Sequence, residues 1–236
     1  MIDVGGSNVK LMASGHSEVR KFKSGPDLSP QRMVSRTLKF VRDWDFEAIT
    51  IGFPGLIIDG QPGREPLNLA PGWLGFDFEG ALGRPVRLIN DAALQALAGY
   101  EGGRLLFLGL GTGIGSTLII DDVIFPVELG VMLLSKNSTL AAQVSGAGLA
   151  KFGLMKWRGA VGRAVKILQD AFWPTDTIIG GGNAKLLVPI PDGCRCRANE
   201  DAFVGAARLW GGSGMVADPR HTSWHIRRLV VKNMLA

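Results

Sequence analysis

Short apolar runs alternate along the chain with segments in which apolar residues recur at helical spacing. Residues 86–89, 105–110 and 177–179 have the length and composition of buried strands. Between residues 156 and 169, apolar side chains return every three or four positions while Lys and Arg occupy the other face, which is typical of an amphipathic helix. This alternation of strands and helices predicts an α/β protein.

Local signals predict where several helices begin. Ser29 followed by Pro30 combines an N-terminal cap with a proline at the first helical position. Asp77 has the position of a cap for a short helix, and Asn199 that of a cap for a closing helix that ends near Trp210. These signals set the expected boundaries of the helical layers.

A unit of strand, glycine turn and strand occurs twice, at residues 3–13 and 106–120. Glycine turns leave backbone N–H groups open to an anion such as phosphate, although an ordinary hairpin has the same pattern. Two such turns facing each other across a cleft suit a two-lobed phosphotransferase. A third glycine turn, at residues 180–183, follows another short apolar run and leads into a helix.

Three carboxylates stand at positions where chemistry could take place. Asp91 follows the apolar run 86–89 at the start of a helix, so it is either a cap of that helix or a candidate base. Asp3 lies beside the first glycine turn. Glu128 lies between apolar segments and is either a paired structural group or a hydrogen-bond acceptor for a ligand.

The loop at residues 59–75 is rich in Gly and Pro and contains Asn68 and Trp73. An amide and an indole together could line a sugar site, because sugars offer hydroxyl groups to amides and C–H faces to aromatic rings. The indole could equally fold back onto the core. The residues alone leave both interpretations open.

Composition limits the class of protein. The chain has 236 residues, 33 of them glycine, and a formal net charge of +5, which suits an anionic ligand. Its apolar runs are shorter than the ~20 residues that a membrane span needs, and no secretory pattern opens the sequence, so we expect a cytoplasmic protein without a membrane partner. Cys194 and Cys196 predict two unpaired thiols in a loop.

The C-terminal part of the chain is basic but has little periodicity. Residues 221–232 lack the interleaved aromatic residues typical of nucleic-acid binding, so we expect no specific nucleic acid partner. We therefore expect residues 211–236 to form a tail beyond the closing helix.

Taken together, the segments resemble the ROK (repressor, open reading frame, kinase) family of actin-like sugar kinases, in particular its polyphosphate glucokinase-like branch. Residues 3–10 and 111–116 resemble the two phosphate motifs, and residues 180–184 resemble the adenosine-side motif. Asn68 with residues 72–73, residues 90–91 and residues 128–130 resemble the sugar-site segments, and residues 199–210 the closing helix. The resemblance covers residues 1–210.

This resemblance implies an α/β, two-lobed actin-like (ribonuclease H-like) fold with a central cleft. It implies a smaller N-terminal lobe at residues 1–90, completed by the closing helix at residues 199–210, and a larger C-terminal lobe at residues 91–198. A homodimer is the assembly that we expect if the chain associates.

The resemblance also implies a function: transfer of a phosphoryl group from ATP or polyphosphate to a hexose such as glucose. Asp91 would be the general base, Asp3 would hold Mg²⁺ through water, and no zinc is expected. The implied sugar-binding residues are Asn68, Asn90, Asp91 and Glu128. The implied phosphate- and nucleotide-binding residues are Gly5, Gly6, Ser7, Asn8, Lys10, Gly111, Thr112, Gly113, Gly181, Gly182 and Asn183.

Two departures from the family pattern keep an alternative open. Val131 stands where the family's Glu-x-Gly segment continues with a sugar-binding His, and Ala141 and Ala142 stand where relatives usually have an acidic pair. They favour a catalytically impaired sugar-binding or regulatory relative that kept the fold. A transcriptional repressor is disfavoured, because no helix-turn-helix segment precedes Asp3.

Overall fold

The computed structural model describes residues 1–198, 201–211, 215–220 and 223–228, of which residues 215–220 and 228 are described by their backbone alone. The strands are β1 (Ile2–Val4), β2 (Asn8–Leu11), β3 (Arg20–Lys23), β4 (Ile49–Phe53), β5 (Ile57–Ile58), β6 (Gln61–Pro62), β7 (Val86–Asn90), β8 (Arg104–Leu110), β9 (Ile114–Ile120), β10 (Val123–Pro126), β11 (Leu133–Ser135), β12 (Ser138–Thr139), β13 (Asp176–Gly180), β14 (Cys194–Cys196), β15 (Met215–Arg220) and β16 (Ser223–Arg228). The helices are α1 (Pro30–Phe40), α2 (Phe78–Leu82), α3 (Asp91–Gly99), α4 (Leu140–Val144), α5 (Gly146–Phe152), α6 (Leu154–Phe172) and α7 (Ala202–Arg208).

The first sheet has the strand order β3-β2-β1-β4-β7. Strands β1, β4 and β7 run parallel, whereas β2 returns antiparallel to β1 after the first glycine turn. Helix α1 begins as its sequence predicts, since the Ser29 side chain accepts a hydrogen bond from the Arg32 backbone N–H. Asp77 caps α2 in the same way through Gly80. The parallel strands bring their carboxyl ends to one edge of the sheet.

The second sheet has the strand order β14-β13-β8-β9-β10-β16-β15 and is covered on both faces. Along β8, Leu105 and Phe107 belong to a core shared with α3 and α7, while Leu106, Leu108 and Leu110 belong to a core shared with α4 and α6. A strand buried on both faces has no polar side to present, which explains its continuous apolar run.

Helix α7 packs directly on α3. A side chain at Gly205 would overlap the Leu94 carbonyl oxygen of α3, so glycine is required for this close approach. The Thr50 hydroxyl, from β4 of the first sheet, donates a hydrogen bond to the Ala206 carbonyl oxygen at 3.2 Å and accepts one from the Trp210 indole at 3.0 Å. Helix α7 therefore connects both sheets.

Several elements differ from the sequence prediction. Cys194 and Cys196 lie in edge strand β14, paired parallel to β13, and not in a loop. Strands β15 and β16 form a hairpin inside the segment expected to be a tail, and β16 pairs with β10. The predicted cap Asn199 lies outside the described residues. The lobe boundaries predicted from the sequence stay a prediction.

No helix in the described part of the chain is long and apolar enough to span a membrane.

Candidate active site

Asp3 and Asp91 come together at the carboxyl edge of the first sheet. In the register of the sheet, Asp3 of β1 pairs with Gly52 of β4, and Gly52 pairs with Ile89 of β7. Ile89 is two residues before Asp91. A Cβ atom placed on Gly52 would lie 3.4 Å from Asp3 Oδ1 and 3.7 Å from the Asp91 Cα. This edge of parallel strands is where α/β proteins commonly bind ligands. A side chain at position 52 would intrude between the two acids.

Asn90, and not Asp91, caps helix α3. Asn90 Oδ1 accepts hydrogen bonds from the backbone N–H groups of Ala92, at 3.0 Å, and Ala93, at 3.1 Å. Its Nδ2 donates to the Gly55 carbonyl oxygen at 3.1 Å. Asp91 is the first residue inside the helix, and its Oδ1 accepts a 2.9 Å hydrogen bond from the backbone N–H of Ala92. The capping function is therefore satisfied without the Asp91 carboxylate, which leaves this group available for chemistry.

The surroundings of Asp91 disfavour its charged form. Burial is the main cause, and the negative charges of Asp3 and, more weakly, Glu128 add to it, against the hydrogen bond from Ala92. Together they raise the pKa of Asp91 to about 7. A carboxylate with a pKa near neutrality can accept a proton from a substrate and release it again afterwards.

Asp3 is a second acid that is largely but not fully buried. Burial raises its pKa, and the charge of Lys10, with Nζ 3.9 Å from Asp3 Oδ2, opposes that effect. Within the described residues, the Asp3 carboxylate accepts no hydrogen bond. The carboxylate oxygens of Asp3 can therefore accept hydrogen bonds from a ligand or from water beside the first glycine turn.

The first glycine turn, Gly5 to Asn8, joins β1 and β2. It is closed by a 3.0 Å hydrogen bond from the Gly5 N–H to the Asn8 carbonyl oxygen and is supported by Ser24, whose hydroxyl donates to the Gly5 carbonyl oxygen at 2.7 Å. Gly6 and Ser7 are exposed at its tip. The predicted phosphate-binding residues of this turn therefore border the edge that carries Asp3.

The second and third glycine turns meet each other. The Asn183 N–H donates to the Leu110 carbonyl oxygen at 2.9 Å, and Gly181, with φ of 85°, approaches the Leu110 backbone so closely that a side chain would overlap it. The N–H of Gly146, at the start of α5, donates to the Gly111 carbonyl oxygen at 2.8 Å. Three separate segments are thus brought together around Gly111. The sequence predicted two of these segments but gave no signal for Gly146.

The second turn is also joined to the Asp91 helix. A Cβ atom on Gly115, in β9, would lie 2.9 Å from the Ala92 Cβ, directly after Asp91. On the same strand, the Ser116 hydroxyl accepts a hydrogen bond from the Leu129 N–H at 3.0 Å and donates to the Val127 carbonyl oxygen. Ser116 thereby fixes the segment that presents Glu128. Sequence reasoning had treated Ser116 only as part of the glycine motif.

Glu128 and Val131 lie in one exposed turn. Glu128 is exposed and near enough to Asp91 for its charge to act on that group. Val131, at the end of a short 3₁₀ helix, is 74% exposed. The position where the family has a sugar-binding His is therefore open to solvent beside a carboxylate of the predicted sugar site.

The loop that carries Asn68 has its indole folded into the core. Trp73 is fully buried against Phe53, with ring centroids 5.3 Å apart, and its indole N–H donates to the Ala70 carbonyl oxygen at 2.7 Å. Of the two interpretations of Trp73, the structure supports the packing one. Asn68 itself is exposed. The loop therefore offers the amide, and not the indole, to a ligand.

The carboxyl end of α3 is fixed by arginines. Arg208 of α7 donates to the carbonyl oxygens of Leu97 and Tyr100, and Arg195 of β14 donates to that of Gly99 at 2.7 Å. Cations at this end also interact favourably with the helix dipole. Helix α3, and with it Asp91, is held at both ends. These pairings join distant parts of the chain, so no local signal indicated them.

A separate cavity of about 420 Å³ lies at the amino ends of β1 and β4, at the opposite edge of the sheet from Asp3. Trp44, Trp210 and Thr50 are among its lining residues. It contains none of the residues predicted to take part in phosphoryl transfer.

No family model matches the chain. Polyphosphate glucokinase of Mycobacterium tuberculosis is 26% identical over 202 residues, which cover 77% of this chain and 76% of that protein.

The solved structures that share the fold include two sugar kinases. Inorganic polyphosphate/ATP-glucomannokinase from Arthrobacter sp. strain KM superimposes with a TM-score of 0.71 at 26% identity, over 87% of this chain and 95% of that one. A ROK family glucokinase from Streptomyces griseus, in complex with glucose and AMPPNP, gives 0.70 at 18% identity, over 88% and 97%.

The fold is that of the two-lobed, actin-like ROK sugar kinases, as the sequence predicted. Within that class the resemblance to the polyphosphate glucokinase branch is confirmed by the similarity in sequence.

Proposed function

We propose that the protein is a sugar kinase that transfers a phosphoryl group from ATP or polyphosphate to a hydroxyl group of a hexose such as glucose. The observation that carries this proposal is the Asp91 carboxylate, which is freed from helix capping by Asn90, has its pKa raised to about 7 and lies at the sheet edge beside the glycine turns. The named relatives are kinases of this class, and none of them specifically favours the impaired alternative.

The reaction needs a base, a held sugar and a stabilised phosphoryl group. Asp91 takes the proton of the attacking sugar hydroxyl, and the resulting oxygen attacks the terminal phosphorus of the donor, whose bridging oxygen leaves with the electron pair of the broken P–O bond. The products are a sugar phosphate and a donor shortened by one phosphate. Asp91 can return its proton to water, because its pKa is near neutrality.

The acceptor sugar would be held by exposed polar side chains of the Asn68 loop and of the Glu128 turn. Asn68 and Glu128 offer an amide and a carboxylate to sugar hydroxyls. Asn90 has already used its oxygen and one amide hydrogen in the structure, so its contribution to sugar binding is limited to its remaining N–H. We therefore assign Asn90 mainly to holding helix α3 and Asp91.

The donor phosphates would be bound by the backbone of the glycine turns. Gly6 and Ser7 on one side, and Thr112 and Gly113 on the other, are exposed at the tips of turns that are internally closed by hydrogen bonds. Lys10, beside Asp3, adds a positive charge near the first turn. The third turn, Gly181 to Asn183, adjoins the second and would take the nucleoside side of ATP.

Asp3 fits a bound Mg²⁺ through water. Its carboxylate is largely buried, accepts no hydrogen bond within the described residues and stands beside the first turn. Mg²⁺ keeps several of its waters and usually takes only one or two carboxylates, so a single Asp suffices. When bound, the ion would neutralise charge on the donor phosphates.

A coupled phosphotransfer assay over a panel of hexoses, with ATP and with polyphosphate as donors, tests the proposal. We expect turnover with at least one hexose and one donor, dependent on added Mg²⁺. If no sugar and donor pair gives turnover with folded protein, the kinase assignment is wrong and the impaired relative replaces it.

A further inference from the structure

The carboxylate of Glu65 binds three consecutive backbone N–H groups of the loop that carries Asn68. Glu65 Oε1 accepts from Gly72 at 3.0 Å and from Leu74 at 3.4 Å, while Oε2 accepts from Trp73 at 3.1 Å. A carboxylate that receives several backbone hydrogen bonds is a strong and directional clamp. Neither the glycine motifs nor the family resemblance pointed to this residue.

The three bonds close a loop that contains Asn68. Glu65 is at one end and residues 72–74 are at the other, with Asn68 exposed between them and its neighbour Leu67 93% exposed. Gly72, the first of the three donors, has φ of 104°, a conformation that favours glycine. The clamp adds to the other contacts of this segment, in which Leu69 is buried in the core and the Ala70 N–H donates to the Leu28 carbonyl oxygen at 3.2 Å.

The end of the loop that Glu65 binds, residues 72–74, is connected to the sheet edge that carries Asp91. Trp73 packs on Phe53, the last residue of β4, and Phe53 is level with Asn90 on β7. Glu65 therefore ties the Asn68 loop, through Trp73 and Phe53, to the framework that presents Asp91.

Glu65 is negatively charged near neutral pH. Partial desolvation acts to raise the pKa of Glu65, but the hydrogen bonds from Trp73, Gly72 and Leu74 outweigh it, so the pKa lies below its ordinary value. The clamp is thus ionised throughout the range in which Asp91 titrates.

We propose that Glu65 is a positioning residue for the sugar site, holding residues 66–71 so that the Asn68 amide meets a sugar hydroxyl at a fixed place. This inference rests on the proposed function. Because the loop binds the sugar and does not touch the reacting atoms, loss of the clamp weakens sugar binding more than it slows the chemical step.

Glu65→Ala tests the inference. We expect the KM for the hexose to rise about 10-fold or more while kcat stays within about 3-fold and the KM for the phosphoryl donor is unchanged. Glu65→Gln keeps one oxygen for the N–H groups of Gly72 and Leu74 but turns an NH₂ group towards that of Trp73. Its hexose KM should lie between those of the wild type and the alanine variant.

Glu79→Ala is the matched control. Glu79 is an exposed glutamate that also accepts a backbone hydrogen bond, from Val86 at 2.9 Å, but this bond joins α2 to the start of β7 and does not close the Asn68 loop. We expect its kinetic constants to equal those of the wild type. A merely structural effect of removing a backbone acceptor would appear in both alanine variants.

The outcomes separate this inference from the kinase assignment. If the wild type turns over and Glu65→Ala leaves the hexose KM unchanged, or lowers kcat and stability without moving KM, Glu65 is not a positioning residue. Calorimetric titration of the hexose into the same variants checks binding directly. A wild type that neither phosphorylates nor binds any hexose overturns the proposed function and the inference together.

Discussion

At the scale of single residues, Asn90 and Asp91 have separate roles: Asn90 caps helix α3, and Asp91 is the proposed base. Asn90 satisfies the N–H groups at the start of α3, so the Asp91 carboxylate is not needed as the cap, and burial raises the pKa of Asp91 to about 7. The sequence predicted that this pair was important, but it left open whether Asp91 was the cap. The directions of the Asn90 and Asp91 side chains decide that question, and the sequence alone does not specify these directions.

The pH dependence of kcat/KM follows from the Asp91 pKa. The base must be unprotonated to accept a proton, so activity falls as pH drops through about 7. Well below that pH the rate should decrease about tenfold per pH unit. A pH–rate profile measured with a hexose and a saturating donor checks this. An acid limb centred near pH 4 would mean that Asp91 has an ordinary pKa and that burial does not tune it.

Val131→His tests the departure from the family at the sugar site. Val131 is 74% exposed in the same turn as Glu128, so an imidazole can be accommodated without repacking the core. A restored hydrogen bond to a sugar hydroxyl is worth about 1 to 1.5 kcal/mol, which is roughly a tenfold gain in glucose affinity. Calorimetric titration of glucose into both proteins measures it. Unchanged or weaker binding in the His variant would place position 131 outside the sugar site.

At the scale of elements, the site depends on helix α3 being held in place. Asn90 fixes its start, Arg208 and Arg195 bind its last carbonyl groups, and α7 packs against its side at Gly205. The Thr50 hydroxyl bonds α7 in turn to the first sheet. If α7 is displaced, α3 should therefore move with it, and this movement should change the position of Asp91.

Gly205→Ala probes this packing. The added Cβ atom would overlap the Leu94 carbonyl oxygen, a backbone atom that cannot move alone. We expect a loss of stability of about 1 to 3 kcal/mol, seen as a lower midpoint of thermal or urea unfolding. Gly162→Ala, in α6 where a Cβ would meet nothing within 4 Å, is the control and should be neutral or stabilising. Equal effects of the two substitutions would show that the α3–α7 contact is not tight.

The elements that the sequence predicted share one property: their signals are local. The glycine turns, the caps Ser29 and Asp77, and the amphipathic helix α6 each follow from spacing within a few residues. Strand β14 depends on parallel pairing with β13, and the β15–β16 hairpin on pairing with β10, so both were missed. The contacts of Glu65 with residues 72–74 depend on how the loop closes, which spacing does not reveal.

At the scale of the whole molecule, both sheets contribute to the surroundings of the acids at the carboxyl edge of β1, β4 and β7. Gly115 of the second sheet approaches Ala92, next to Asp91, and Gly52 of the first sheet lies between Asp91 and Asp3. The resemblance to ROK sugar kinases predicted a two-lobed arrangement, and the similar solved structures confirm the fold.

Burying the charged Asp91 carboxylate lowers the stability of the folded protein. Replacing this carboxylate with an uncharged group should therefore raise the stability. The pKa of Asp91 in the folded protein lies above its ordinary value, so the folded state binds the proton more tightly and stability decreases as pH rises from about 4 to about 7. Above that range, the uncharged amide of Asp91→Asn should stabilise the fold by on the order of 1 to 3 kcal/mol.

The most direct test of the account is therefore kcat of Asp91→Asn, measured together with its unfolding midpoint at pH 8. The amide is nearly isosteric and can still accept the Ala92 N–H, but it cannot take a proton from the sugar hydroxyl. We predict that kcat falls by a factor on the order of 10² to 10⁴ while the unfolding midpoint is equal to or above that of the wild type. A variant that retains full activity, or that loses activity only because it unfolds, would contradict the assignment of Asp91 as the base.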